Sequence, residues 1–140
     1  MKYFIDVNIF LEVELQDKRK DECEKLLGRI AEGLEEGIIS DFIMYSMLLQ
    51  LTNRSTLSKA KDFLSFLEGA NIEIVVPDMQ TLHNALKVMK SHSLDFDDAL
   101  VVSVMATNKI NRLVSFDKDF DRVKDEALVK RIEPKDIVST

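Results

Sequence analysis

Three aspartates stand where a polypeptide could aim carboxylates at one point. Asp6 ends the apolar stretch "KYFIDV" (2–7), and Asp117 follows the apolar stretch "RLVSF" (112–116). Asp98 belongs to "DFDDALVV" (95–102), where Asp95, Asp97 and Asp98 lead into a wholly apolar run. Carboxylates from three separated segments make a site for a hard cation. Mg²⁺ and Mn²⁺ favour carboxylate oxygen and retain several waters. Ligands of softer type are scarce, because the chain holds two His and one Cys. Taken singly, each of these acids reads more readily as a helix cap or a solvated turn residue. The joint placement argues for a site.

Helical geometry separates the neighbours. If residues 95–98 lie on one helix, Asp95 and Asp98 share a face. Asp97 then points about 100° away from Asp98. Asp95 is the expected N-cap, Asp98 the expected metal ligand, and Asp97 at most a neighbour that supports it. A carboxylate in the first helical turn gains about 0.3–1 kcal/mol from the backbone dipole.

The elements that must position these acids alternate in type. Strands are expected at 2–7, 37–40, 71–76, 112–116 and, less strongly marked, 128–132. Helices are expected at 19–36, 41–53, 58–69, 79–91 and 96–109, with a short helical turn over "DKDFDRV". Cys23, Leu26, Leu27, Ile30 and Leu34 recur at helical spacing, and Gly37 is expected to stop that helix. Ser40 is the expected cap of the next helix, which is apolar nearly all round and so is buried in the core or against a partner chain. Pro77 and Asp78 open the helix after the third strand. Alternating strands and helices imply an α/β fold with a mainly parallel sheet. In such sheets ligands bind beyond the carboxyl ends of strands, where Asp6 and Asp117 fall.

Composition sets the outer bounds. The chain has 140 residues, suited to one domain over 1–140, and 46% hydrophobic residues, enough for a core. Its net charge of −6 gives no general attraction to nucleic acid, so RNA binding needs a metal or a local basic patch. Lys109, Lys118 and Arg122 are candidates for such contacts, although solvated surface is the simpler reading of each. The lone Cys23 permits no intramolecular disulfide and reads as a small core residue, and the uncharged run 42–53 is too short to span a bilayer. These features suit a soluble cytoplasmic protein. His83 and His92 read as surface or capping residues.

Three segments together resemble the PIN-domain family, which includes the VapC-type toxin ribonucleases. "FIDVNIFLE" (4–12) resembles the family's opening strand, Asp-x-Asn turn and first helix. "FDDALVVSVMA" (96–106) resembles its central Asp-Ala motif, and "LVSFDKDFDRV" (113–123) its strand followed by an Asp-x-Asp-Phe turn. The resemblance runs along nearly the whole chain. It implies a PIN-like three-layer sandwich, a mainly parallel sheet of four to five strands flanked by helices. It further implies Asp6, Asp98 and Asp117 as catalytic, metal-holding acids for Mg²⁺ or Mn²⁺. Asn8, Ser115, Asp119 and Asp97 would support them from the surroundings. The implied activity is endonucleolytic RNA cleavage by a metal-activated water, with a small antitoxin as inhibitor and a homodimer as the common assembly.

One position departs from the pattern. The family usually places a Glu early in the helix after the second strand, where this chain has Tyr45 and Ser46. Asp41 lies about 7.5 Å and 140° away from Ser46 on a helix, a poor substitute. The alternative reading is therefore a degenerate PIN domain that binds RNA or protein without catalysis. A different Mg²⁺-dependent phosphoryl-transfer enzyme fits less well. Position 8 is Asn rather than a second Asp, and no Gly-rich phosphate loop occurs.

Overall fold

The computed structural model describes residues 1–138. Its strands are β1 (Lys2–Ile5), β2 (Glu36–Ser40), β3 (Ile72–Val75), β4 (Arg112–Val114) and β5 (Lys130–Ile132). Its helices are α1 (Val7–Glu14), α2 (Lys20–Ala31), α3 (Asp41–Arg54), α4 (Leu57–Gly69), α5 (Met79–His92), α6 (Phe96–Thr107) and α7 (Pro134–Val138). A 3₁₀ turn covers Lys118–Arg122. The five strands pair in parallel in the order β3-β2-β1-β4-β5. The α/β, mainly parallel architecture read from the sequence is the one observed.

Strand order creates the crevice. From β1 the chain builds outward through β2 to β3, then crosses back to add β4 and β5 on β1's other side. The direction of winding reverses between β1 and β4, the kind of switch point at which parallel sheets bind ligands. The carboxyl ends of these two strands carry Asp6 and the 115–117 segment. The Asp6 N–H bonds the Val114 carbonyl at 3.0 Å and locks the two ends side by side. Phe4 and Ile5 in β1, and Leu113 and Val114 in β4, are fully buried. Continuous burial on both faces is what a central parallel strand requires.

Several element ends differ from the sequence expectation for local reasons. β1 stops at Ile5 rather than residue 7, because Asp6 caps α1 and its Oδ1 accepts from the Val7 N–H at 2.8 Å. α2 ends at Ala31, well before Gly37. Gly33 takes the left-handed conformation (φ 81°) that turns the chain away. Gly37 instead sits inside β2, where an added Cβ would lie 3.1 Å from the Ile72 side chain. Leu34 thus falls outside the helix and is exposed. α7 had no recognised signal in the sequence and packs on α2.

Two apolar helices play opposite parts. In α6, Ala99 through Met105 are all buried, the pattern of a helix surrounded by protein. In α3 only Ile43, Met47 and Leu51 are buried, while Tyr45 is 55% and Leu49 63% exposed. Its second apolar face is open. The buried polar atoms between α5 and α6 are paired, with the Ser103 hydroxyl donating to the Thr81 carbonyl at 2.7 Å. Asp78 caps α5 by accepting from the Thr81 N–H and hydroxyl, each at 2.8 Å. Among the described residues no helix is long and apolar enough to cross a membrane.

Candidate metal centre

Asp6 is held most tightly. It is 5% exposed, and both of its carboxylate oxygens are engaged. Oδ1 caps α1, while Oδ2 accepts from the Ser115 hydroxyl at 2.6 Å and from Asn8 Nδ2 at 3.3 Å. Asn8 Nδ2 also lies 3.2 Å from Ser115 Oγ, and its Oδ1 accepts from the Phe116 N–H at 3.3 Å. Ser115 Oγ in turn accepts from the Asp117 N–H at 3.0 Å. The Asp-x-Asn turn after β1 and the Ser-Phe-Asp turn after β4 are thereby tied into one network.

Asp117 opens the 3₁₀ turn as its cap, with Oδ1 accepting from the Asp119 N–H at 2.9 Å. That turn folds Asp119 back toward α6. One carboxylate oxygen from each of Asp98, Asp117 and Asp119 lies within 4.8 Å of the others. Asp6 joins Asp98 and Asp117 in a cleft of about 170 Å³, lined also by Asn8, Ser46, Gln50 and Asp97. The structure thus brings Asp98 and Asp117 together with Asp119, whereas Asp6 sits deeper in the same cleft. Asp97 also lines the cleft despite its offset around the helix. Asp95 occupies the N-cap position of α6, but its side chain makes no capping bond.

Electrostatics register the crowding. The Asp98 carboxyl is pushed up to about 7, first by burial and then by Asp97, Asp117, Asp6 and Asp119. Burial also raises Asp6, opposed in part by the bonds from Ser115 and Val7 and reinforced by Asp117 and Asp97. Among the described residues neither Asp98 nor Asp117 has an ion-pair partner, and Asp119 meets only Arg122, at 3.5 Å. Uncompensated, all-oxygen carboxylates converging from different elements suit a divalent hard cation.

Other residues support the centre from behind. Arg131 on β5 donates through Nη1 to the Ser115 carbonyl at 3.1 Å. Its Nε donates to Asp121 at 3.0 Å, and Nη1 also to Glu133 at 3.1 Å. It braces the far side of the Ser115–Asp121 segment. Arg122 donates to the Ser93 carbonyl at 2.8 Å, joining the 3₁₀ turn to the corner that starts α6. No local signal marks Arg131, which lies 16 positions from Ser115. Gln50 had a faint one, as the polar residue one turn after Ser46. Tyr45 points outward, so Ser46 is the α3 residue that faces the acids.

The PIN domain family model matches residues 3–126. The chain belongs to the PIN-domain family. No curated protein matches it in sequence. Solved structures share the PIN fold at low identity. VapC20 of Mycobacterium tuberculosis, a sarcin-ricin loop cleaving toxin, is 16% identical with TM-score 0.71, covering 85% of this chain and 92% of its own. A toxin-antitoxin complex from Klebsiella pneumoniae is 13% identical with TM-score 0.71, covering 94% and 97%. VapBC2 of Rickettsia felis, bound to a promoter DNA fragment, is 15% identical with TM-score 0.70, covering 94% and 98%. In this PIN domain the cleft between β1 and β4 holds the acids, but its α3 wall offers Ser46 and Gln50 instead of a carboxylate.

Proposed function

We propose that this PIN domain is a Mg²⁺- or Mn²⁺-dependent endoribonuclease, the toxin of a toxin-antitoxin pair. Residues 1–140 form one catalytic domain in this reading, working in the cytoplasm. The observation that carries it is the meeting of Asp98 from α6 with Asp117 and Asp119 from the turn after β4, beside Asp6 from β1. A bound divalent ion supplies positive charge at the scissile phosphate and a reactive water at neutral pH. Asp6, Asp98 and Asp117 hold the metal, with Asp119 beside them. Asn8 and Ser115 fix the Asp6 carboxylate, and Asp97 adds negative charge at the mouth. The metal also offsets the repulsion between an acidic cleft and RNA.

The toxin-antitoxin complexes among the fold neighbours support an antitoxin partner. The open α3 face, with Tyr45 and Leu49, is available to that partner or to a second copy in a homodimer. The deciding assay is RNA cleavage with added Mn²⁺ by wild type and Asp98→Asn. Loss of at least about 100-fold in the variant is expected if the acid holds the catalytic metal. Equal cleavage by both would remove Asp98 from the mechanism.

One observation favours a second reading. The α3 wall lacks a carboxylate, so a non-catalytic PIN domain that binds RNA or protein is the alternative. Normal folding without any metal-dependent rise in melting temperature, and without cleavage of any RNA class, would select it.

A further inference from the structure

Ser46, Gln50 and Arg54 recur every fourth residue along α3. They therefore lie on neighbouring parts of one helix face, with Arg54 about 12 Å along the axis from Ser46. Ser46 and Gln50 line the acidic cleft. Arg54 Nη1 donates to Gln50 Oε1 at 3.1 Å. That bond occupies the amide's acceptor and leaves its NH₂ group to donate. Among the described residues the Ser46 hydroxyl and the Gln50 NH₂ make no hydrogen bond. Arg54 is exposed and, among the described residues, has no carboxylate within ion-pair distance.

The other arginines beside the cleft are committed. Arg122 and Arg131 hold Ser93, Asp119, Asp121, Glu133 and the Ser115 carbonyl. The Arg19 guanidinium lies 3.5 Å above the centre of the Phe116 ring. Arg54 is thus an unpaired cation joined through one amide to the cleft wall, in a chain of net charge −6. A row that runs from acids, through neutral donors, to a free guanidinium matches the needs of a polyanion. Its reacting phosphate sits at the metal, and its next phosphates need donors and positive charge.

We propose that the Ser46–Gln50–Arg54 face of α3 is the track along which the RNA strand leaves the acidic cleft, with Arg54 binding a phosphate that flanks the scissile one. The replacement of an α3 acid by Ser46 then has a second consequence. It removes a negative charge from the path of the strand. Arg54 and Gln50 are positioning residues here, not catalytic ones. The inference rests on the nuclease reading of the cleft.

The test measures binding of a fluorescent single-stranded RNA by anisotropy, with Ca²⁺ in place of Mn²⁺ and RNA integrity checked on a gel. Wild type, Gln50→Ala, Arg54→Ala and Arg54→Lys are titrated across a range of salt. Arg54→Ala is expected to weaken binding about five- to tenfold and to reduce the salt slope by about 0.7, the share of one phosphate contact on a single strand. Arg54→Lys keeps the slope, and Gln50→Ala weakens binding by about threefold, as loss of one donor does. The Mn²⁺-induced rise in melting temperature stays at the wild-type value in both Arg54 variants.

Wild type that binds RNA while Arg54→Ala shows the same affinity and slope overturns the track and leaves the nuclease reading standing. An Arg54→Ala protein that also loses the Mn²⁺-induced rise shows that Arg54 shapes the metal site, and overturns the track as well. Wild type that neither binds nor cleaves RNA overturns both.

Discussion

The Ser115 hydroxyl donates to Asp6 Oδ2 at 2.6 Å, across a sequence separation of 109 residues. This bond fastens the end of β4 to the end of β1. It also turns the deepest acid of the cleft into a fixed group. Removing it exposes how much of the site is built by its surroundings.

Ser115→Ala leaves a buried carboxylate short of a donor. Stability should fall by about 1–3 kcal/mol, as expected for a buried acceptor that loses its partner. Mn²⁺ affinity should fall about 10- to 100-fold, the usual effect of losing a group that orients a ligand. Urea unfolding and calorimetric Mn²⁺ titration check the two effects separately. Unchanged affinity with lowered stability would mean that the bond serves the fold alone.

Asp98 gives the metal-free protein a pH dependence of definite sign. Its carboxyl is raised to about 7 in the fold, above an unfolded value of about 3.9. The neutral acid is therefore favoured in the native state. The stabilisation is full below about pH 4 and is lost as pH rises through about 7. Asp98 is partly exposed, so solvent screening reduces the effect to about 1 kcal/mol, or about 3 °C in melting temperature. Asp98→Asn should melt higher than wild type at pH 8 in chelator, converge with it near pH 4, and lose the Mg²⁺-induced gain. A lower melting point for the variant at pH 8 would identify Asp98 as a structural residue instead.

Ser46→Glu restores a carboxylate on the α3 wall of the cleft. The variant should bind Mn²⁺ more tightly by about tenfold or take up a further equivalent, while melting lower in chelator because like charges are added. Cleavage should rise if metal occupancy limits the wild-type enzyme. Calorimetry in parallel with the nuclease assay reads both. An unaltered Mn²⁺ isotherm would show that position 46 does not reach the metal.

Cys23 is fully buried, and burial together with Glu12 and Glu22 pushes its thiol up to about 12. The native protein should react with a disulfide reagent at pH 8 no faster than it unfolds, since the thiolate is the attacking species. The rate should follow urea concentration along the unfolding curve. Prompt labelling of native protein at zero urea would show that α2 opens locally.

The sequence by itself determined most of the elements and the acidic character of the cleft. Apolar runs marked the strands, and polar residues stand at the carboxyl ends of three of them, Asp6 after β1, Ser40 at the end of β2 and Ser115 after β4. Ser40, Asp78 and Asp95 take the cap positions their local sequence indicates. Errors at that level were also local, as where Gly33 rather than Gly37 ends α2. Tertiary structure alone decided the composition of the centre. Helical periodicity turns Asp97 away from Asp98, yet both line the cleft, together with Val101 one turn on. Asp119 joins Asp98 and Asp117 because the 3₁₀ turn folds it back. Arg131 braces Ser115 only because β5 pairs with β4. Spacing along the chain fixes which way a residue points on its own element. Strand order and helix rotation set the distance between elements, and a metal site is made of those distances.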